Sequence, residues 1–477
     1  MRTRKRRRDT AGRETQASSR GTGARTSAVG WGFAVGLSVV VAYLELFRVF
    51  DWGHGILRAN LLVGLGAVAL VVLVRPRRQG ARRGPGPFLL VPAAAVAFAV
   101  NLVAGVQAVA HTAAAHEIEM DQGQDTFRAI QYLRLGANPY AQTAMLDPVS
   151  YVELASRLQR QPQCLVRPMP PDVMAAASRY WSSVNPAATS GILPVIDNTP
   201  ACQSLSVAAA SLGYKYGPAL LATYTPFVVG FDKPGIFVAN IVLLLLSTAL
   251  LAWLGRSGGK SWAVVAGGLL LFLAPSHLRH NVLTLSASDL GPTLAAVAAV
   301  AFLVRGRDGW AAFLIGLSLA CKILPGLLYL PLLLACRRRT WALFLAPIVA
   351  TFTPFFVWDR QGLVNNILLF NLNRPTDSTA LAHFLSRPWL VAVQVLGLSA
   401  AAFALHRARK QAWTPPAVLA YLWVAHVAVL VGGTIFHNNY LIWLLPLLSL
   451  TLMLAFGTAL TSAVATKGTG DRLSKSV

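Results

Sequence analysis

Residues 316–335 read GLSLACKILPGLLYLPLLLA. This run is almost entirely apolar, and a membrane-spanning helix needs about 20 such residues. Pro325 is expected to break the helix and to free backbone groups that must then be buried or face a cavity. A lysine at membrane depth costs a few kcal/mol and by default marks a functional site. We therefore expect Lys322 to face an internal cavity open to the outer leaflet, not lipid.

The composition of the whole chain indicates the same class of protein. Of the 477 residues, 55% are apolar and 13% are charged, against about 25% charged in an ordinary soluble domain. A soluble protein of this size could not bury so much apolar surface, and these figures also exclude disordered, fibrous and small disulfide-stapled chains. The prediction is an all-α polytopic membrane protein.

The positive charge follows the topology of such a protein. The net charge is +24, and nine of the 42 Lys and Arg residues lie in the first 25 positions. Most others lie in short loops between apolar runs, as the positive-inside rule requires of cytoplasmic segments. This pattern favours a plasma-membrane protein with both termini cytoplasmic and no nucleic-acid partner. We expect residues 1–28 to be a disordered basic tail and residues 458–477 a second cytoplasmic tail.

Hydropathy predicts about 12 transmembrane helices. The apolar runs are 29–49, 56–74, 88–110, 217–231, 235–255, 262–275, 290–304, 311–321, 323–336, 341–357, 388–405, 414–434 and 440–457. Two arrangements give the same orientation of both termini: either 217–231 is re-entrant and 311–336 forms two short spans, or 217–231 crosses and 310–336 is one broken span. We favour the first, because it places the basic residues near 256–260 and 305–307 inside.

A large extracytoplasmic loop, residues 111–216, follows the third span. It carries eight of the 18 acidic residues and is nearly neutral, whereas the chain is strongly basic. Helical spacing over 124–136 and 148–160 predicts helices along the membrane surface, the first beginning after Gly123. Cys164 and Cys202 share this loop, so a disulfide is expected in an oxidising compartment. A second outside loop, 358–387, is long enough to cover a site.

Motifs for nucleotide and metal binding are incomplete. The loop 255–261, GRSGGKS, is one residue short of a phosphate-binding loop. The zinc motif that begins at His116 lacks its second histidine, because residue 120 is Met. We therefore expect no cofactor and no metal site.

The remaining polar groups converge on the outer face and suit one chemistry. The acidic stretch 116–125 lies there, with Lys215, Lys322, Arg279 and Arg374 as candidate cations. A carboxylate can accept the proton of an acceptor hydroxyl, and Lys or Arg can stabilise a phosphate leaving group. A sugar carried on a polyprenyl phosphate would need both.

The sequence resembles the GT-C superfamily of polyprenyl-phosphate-sugar glycosyltransferases, and most of all glycosyltransferase family 87, the mannosyltransferase-like group. The similar stretches run in order from about residue 88 to 457. They are DTFRA at 125–129, GANPY at 136–140, YKYGPALLATYTP at 214–226, GLSLACKILP at 316–325, TPFFVWDRQGLVNNILLFNLNRP at 353–375 and HNNYLIWLLPLL at 437–448. The resemblance implies a GT-C-like catalytic module over 88–457, and residues 29–87 would add two further spans and a basic loop.

The resemblance also implies a function. It is an inverting transfer of mannose first, or arabinose second, from a polyprenyl-phosphate donor to an envelope glycan or glycolipid at the outer face. Asp125 would be the base, with Asp121 as the alternative. The donor phosphate would meet Lys322, Arg374 and Arg279, and the substrate would be lined by Tyr216, Lys215, His437 and Asn438.

Two other classes of function stay open from the residues alone. A transporter or flippase of a lipid-linked glycan would use a buried lysine and broken helices equally well. A non-catalytic envelope-assembly protein would keep the fold and the disulfide but would not need Asp125.

Overall fold

The structure, a computed structural model, describes residues 86–115, 118, 121–140, 154, 156–165, 199, 201–202, 205, 213–275, 278–369, 385–433 and 438–455. The predicted tails at 1–28 and 458–477 and the two predicted spans at 29–49 and 56–74 lie outside these residues. The described part is helical, which confirms the predicted all-α class.

Thirteen α-helices are numbered here in chain order over the described residues. They are α1 Gly86–Ala115, α2 Asp121–Arg134, α3 Pro218–Phe231, α4 Gly235–Ser257, α5 Trp262–Leu273, α6 Leu290–Val304, α7 Asp308–Cys321, α8 Ile323–Tyr329, α9 Trp341–Trp358, α10 Arg360–Val364, α11 Arg387–Lys410, α12 Pro415–Gly432 and α13 Leu444–Ala455. Shorter helical turns join them: Pro162–Cys164, Leu278–Thr284, Leu330–Ala335, Arg338–Thr340, Asn365–Leu369 and Asn438–Trp443.

Five helical segments are long and apolar enough to cross a membrane. They are Leu90–Ala114, Gly235–Ser257, Arg338–Trp358, Arg387–Lys410 and Pro415–Gly432. A sixth is added if α5 and the turn after it are counted as one span. Within the described residues the predicted figure of about 12 is not reached, because several predicted spans form helices of only 10–17 residues. The helices are compatible with a multi-pass membrane protein.

Helix α11 has a surface compatible with a membrane-spanning helix. No residue in the 18-residue apolar window of this candidate span is buried, and large apolar side chains such as Leu396, Leu398 and Phe403 are 71%, 70% and 66% exposed. Soluble monomers rarely expose contiguous apolar patches of more than a few hundred Å². A helix with this surface is stable in hydrocarbon, where apolar side chains need no shielding.

The chain forms two compact units. The described part of the first comprises 86–97, 251–275 and 448–455. There the turn between α4 and α5 is closed by Arg256, which donates to Lys260 O at 2.6 Å and lies over the Trp262 ring at 4.7 Å. Ser261 caps α5 by accepting from the backbone N–H of Val264.

The second unit, which spans 98–250 and 277–447, contains the candidate site. Helices α6 and α7 pack together, α9 packs on α7, and α11 packs on α12. The α7–α9 approach requires Gly316, because a Cβ atom there would overlap the carbonyl oxygen of Phe344. Helix α2 packs against α3.

The helix break predicted at Pro325 is present between α7 and α8. Lys322 has extended backbone, with φ −145° and ψ 128°. A proline has no N–H, so Pro325 cannot donate to the carbonyl of Cys321 one turn earlier. Gly217 supplies that hydrogen bond instead, with its backbone N 2.9 Å from Cys321 O. The missing N–H of Pro325 thus leaves a carbonyl group free of its helical partner, and that carbonyl binds the segment before α3.

We predict that Gly217→Ala destabilises the folded protein by about 1–3 kcal/mol, the usual cost of overpacking. A Cβ atom at residue 217 would overlap the backbone carbonyl of Ala320, which cannot move without disturbing α7. Thermal unfolding in detergent measures the effect. The matched control is Gly230→Ala in α3, where a Cβ atom meets open space. Equal melting temperatures for the two variants would contradict the close approach at Gly217.

Candidate functional site

A cluster of buried polar side chains lies where five segments of the second unit meet. The segments are the start of α2, the segment 213–217, the loop 285–289 before α6, the break at residue 322, and the turn Asn438–Trp443. All of them are far apart in the chain, so tertiary packing alone brings them together.

The centre of the cluster is an ion pair. Lys322 Nζ donates to Asp289 Oδ1 at 2.8 Å, and both residues are buried. The same oxygen accepts from Trp443 Nε1 at 2.9 Å. Asp289 is the residue before α6, but its side chain makes no capping bond to that helix. Its carboxylate therefore binds the lysine and the tryptophan instead of capping the helix.

Gln122 of α2 is the second partner of the lysine. Its Oε1 atom accepts from Lys322 Nζ at 3.0 Å, from the backbone N of Ser288 at 3.1 Å and from Ser288 Oγ at 3.4 Å. The third neighbour of the lysine is the ring of Tyr216, whose centroid lies 4.9 Å from Nζ. An ammonium group has three N–H bonds, and Asp289, Gln122 and Tyr216 give it three partners.

Helix α2 begins earlier than the sequence predicted. Gly123 was expected to keep Asp121 out of the helix, but α2 runs continuously from Asp121. The reason is a tertiary contact: a Cβ atom at residue 123 would overlap Ser286 Oγ, so only glycine lets the helix approach this loop. Positions 121 and 125 are therefore one turn apart on one helix, and the prediction that this helix begins after Gly123 is wrong.

Asp125 lies on the buried side of α2, with 1% of its surface exposed. The next residue, Thr126, forms a hydrogen bond with the hydroxyl of Tyr214, 3.1 Å away. Burial raises the pKa of Tyr214 well above its ordinary value, and the negative charge of Asp125 raises it further. Tyr214 is therefore a neutral phenol beside a carboxylate.

Tyr140 connects the turn 136–140 to the segment 213–217 and to Asn366. Its hydroxyl donates to Tyr216 O at 2.7 Å, and its ring packs edge-on against Tyr214 with centroids 5.6 Å apart. Its own carbonyl accepts from Asn366 Nδ2 at 3.0 Å. Burial raises the pKa of Tyr140 well above its ordinary value. The GANPY turn and the YKYGP segment thus hold each other in place.

The structure describes only some of the other predicted site residues. Lys215 and Tyr216 are half-buried, and Arg279 is half-buried in the turn Leu278–Thr284. Arg374 and His437 lie outside the described residues, and Asn438 begins the last short turn.

Cys164 and Cys202 form a disulfide, with Cα atoms 5.5 Å apart. Within the described residues no group of three His, Cys, Asp or Glu side chains could hold a metal ion.

Sequence reasoning missed the partners of Lys322. The sequence did not link Asp289 to Lys322, and Gln122 and Trp443 were not singled out. One signal was available: Asp289 directly precedes the apolar run 290–304, and a buried carboxylate needs a cation or several donors. Nothing local in the sequence identifies Gln122.

Within the described residues, these features are a helical fold compatible with a multi-pass membrane protein, a buried ion pair and a buried carboxylate at Asp125. Residues 214–432 match the family model of glycosyltransferase family 87. This match confirms the resemblance to family 87 over that segment. The matched segment includes Asp289 and Lys322 and begins after Asp125. Neither the curated proteins nor the solved structures contain a match.

We predict that Lys322→Met lowers the free energy of unfolding by about 3–5 kcal/mol, because it leaves the carboxylate of Asp289 buried without its cation. The double variant Lys322→Met with Asp289→Asn should lose much less, since no charge is left buried. Denaturation in detergent compares the two variants.

The matched control is the Arg337–Asp308 pair. Its nitrogen and oxygen are 3.5 Å apart, but the arginine side chain is 67% exposed. Arg337→Met should cost at most about 1 kcal/mol. A double variant as unstable as Lys322→Met alone would show that the ion pair does not account for the loss.

Proposed function

We propose that this chain is an inverting glycosyltransferase of the plasma membrane. It would transfer a sugar, mannose first and arabinose second, from a polyprenyl-phosphate donor to a cell-envelope glycan or glycolipid. The reaction would take place at the outer face, with both termini on the cytoplasmic side. The match to glycosyltransferase family 87 supports sugar transfer, and the sequence resemblance supports the choice of donor.

The observation that carries the proposed mechanism is the placement of Asp125. A general base must reach the acceptor hydroxyl at about 2.6–3.2 Å, directly or through one water. Asp125 is buried on a helix whose neighbouring positions are tied to three other segments of the second unit. A carboxylate held in this way can meet an acceptor in a fixed geometry.

The residues suggest the following division of work. Asp125 takes the proton of the acceptor hydroxyl while that oxygen attacks the anomeric carbon. The bond from this carbon to the phosphate oxygen breaks, and its electron pair leaves with the polyprenyl phosphate. Attack from the face opposite the leaving group inverts the anomeric configuration.

Cations near the phosphate would stabilise the charge that develops on it. Arg279 and Arg374 are proposed for this role. Lys322 was expected to share it, but its ammonium group contacts Asp289, Gln122 and Tyr216. The ammonium group would have to leave one of these partners to bind a phosphate oxygen. We therefore propose the phosphate contact mainly for the two arginines.

The substrate-lining residues remain proposals of the same kind. Tyr216 presents a half-buried ring beside Lys322, and Lys215 is half-buried next to it in the chain. His437 and Asn438 precede Trp443, whose indole binds Asp289. A sugar bound near Tyr216 would lie close to the turn Asn438–Trp443, because Lys322 and Trp443 share the carboxylate of Asp289.

We expect Asp125→Asn to reduce transfer by a factor of about 10²–10⁴, the usual contribution of a general base. The assay measures transfer of a labelled sugar from polyprenyl-phosphate mannose, and then from the arabinose donor, to membrane glycolipid acceptors. Donor binding should persist, because asparagine keeps the size of the side chain.

Asp232→Asn is the matched control. Asp232 accepts a hydrogen bond from Gln131 of α2, and asparagine tolerates its left-handed φ of 55°. This variant should retain wild-type transfer. If Asp121→Asn is inactive and Asp125→Asn is not, the base is Asp121. If both variants are active and the protein moves labelled lipid-linked glycan across vesicle membranes, the transporter hypothesis replaces the proposed glycosyltransferase.

A further inference from the structure

We infer that Gln122 is a positioning residue for sugar transfer: it holds the start of α2, and with it Asp125, on the buried Asp289–Lys322 ion pair. The inference rests on the proposed role of Asp125. It adds a residue that neither the sequence motifs nor the family match selects, because Gln122 precedes the matched segment.

The hydrogen bonds of Gln122 connect α2 to two other segments at once. Its Oε1 atom accepts from Lys322 at the break between α7 and α8, and from Ser288 in the loop before α6. The side chain is only 6% exposed. A buried oxygen that loses its donors is costly, and so is a buried lysine that loses an acceptor. The side chain of Gln122 therefore resists displacement from either segment.

The position of Gln122 along the helix makes this contact relevant to Asp125. Residues three apart in an α-helix lie on neighbouring parts of the same face, with a rise of about 4.5 Å between them. Gly123 lets the intervening turn lie directly against Ser286, and Thr126 is tied to Tyr214. Contacts therefore flank Asp125 on both sides in the chain.

Asp289 completes the arrangement, because its carboxylate accepts hydrogen bonds from Lys322 and Trp443. It keeps the ammonium group oriented so that one N–H bond points at Gln122. Positioning of this kind matters because a misplacement of about 1 Å in a reacting group can cost about 10²-fold in rate.

The first test is Gln122→Met, which keeps the length of the side chain but removes the acceptor oxygen. We expect kcat to fall about 10- to 100-fold, with the KM for the polyprenyl-phosphate donor unchanged within about twofold. Gln131→Met is the control on the same helix, since Gln131 forms an exposed hydrogen bond to Asp232. It should leave both kinetic parameters at wild-type values.

The second test is Gln122→Glu, which keeps an acceptor oxygen and adds a negative charge near Asp125. This variant should recover kcat to within about threefold of wild type at its optimum pH. A like charge raises the pKa of a neighbouring carboxyl, so the acidic limb of the kcat–pH profile should move up by about 0.5–1 pH unit. The shift reports that residue 122 lies close to the base, and the recovery of kcat reports that its acceptor oxygen positions Asp125.

Several results would overturn the inference. One is wild-type kcat in Gln122→Met while Asp125→Asn is inactive, because the base would then need no such support. Another is a raised donor KM with unchanged kcat, which would make Gln122 a donor contact. If Gln122→Met fails to fold in a thermal-unfolding control, the pH profile of Gln122→Glu decides, and an unshifted limb refutes the proposal. Full activity of Asp125→Asn would instead refute the proposed function itself.

Discussion

The buried ion pair between Asp289 and Lys322 is the interaction on which the described site depends. Removing two charges from water costs several kcal/mol for each, and attraction compensates only when geometry and further hydrogen bonds are good. Here the carboxylate accepts from Lys322 and Trp443, and the ammonium group has Gln122 and Tyr216 as further neighbours. The need to satisfy two charges therefore joins α2, the segment before α3, the start of α6, the break after α7 and the turn before α13.

The break after α7 makes this interaction possible. A continuous helix would keep residue 322 on the helix surface, and its carbonyls would be paired within the helix. Pro325 prevents that pairing, and Gly217 takes over the carbonyl of Cys321. The hydrogen bond brings the YKYGP segment against the break, so Tyr216 lies over the ammonium group. One missing N–H thus accounts for the approach of two segments about 100 residues apart.

Sequence predicted the features that local chemistry controls. The helix break followed from Pro325. Lys322 was expected to face an internal cavity open to the outer leaflet, and the structure shows it 7% exposed and paired with Asp289. The predicted start of α2 was wrong. The low helix propensity of glycine argued against a helix through Gly123, whereas the contact with Ser286 requires a glycine at this position. The sequence did not identify Asp289 as the partner of Lys322, because the two residues are 33 positions apart and only packing brings them together. Hydropathy marked the apolar runs 217–231, 290–304, 311–321 and 323–336 and predicted short spans for the last two, and all four form helices of 10–17 residues.

The opposite charges of Asp289 and Lys322 also have an electrical consequence. A membrane potential does work of about 2.3 kcal/mol per 100 mV on one elementary charge that crosses the bilayer. Two opposite charges with atoms 2.8 Å apart nearly cancel in this respect. If the segments around residue 322 move as a body, the pair carries almost no gating charge with it. Energised and de-energised membranes therefore exert nearly the same force on the centre of this site.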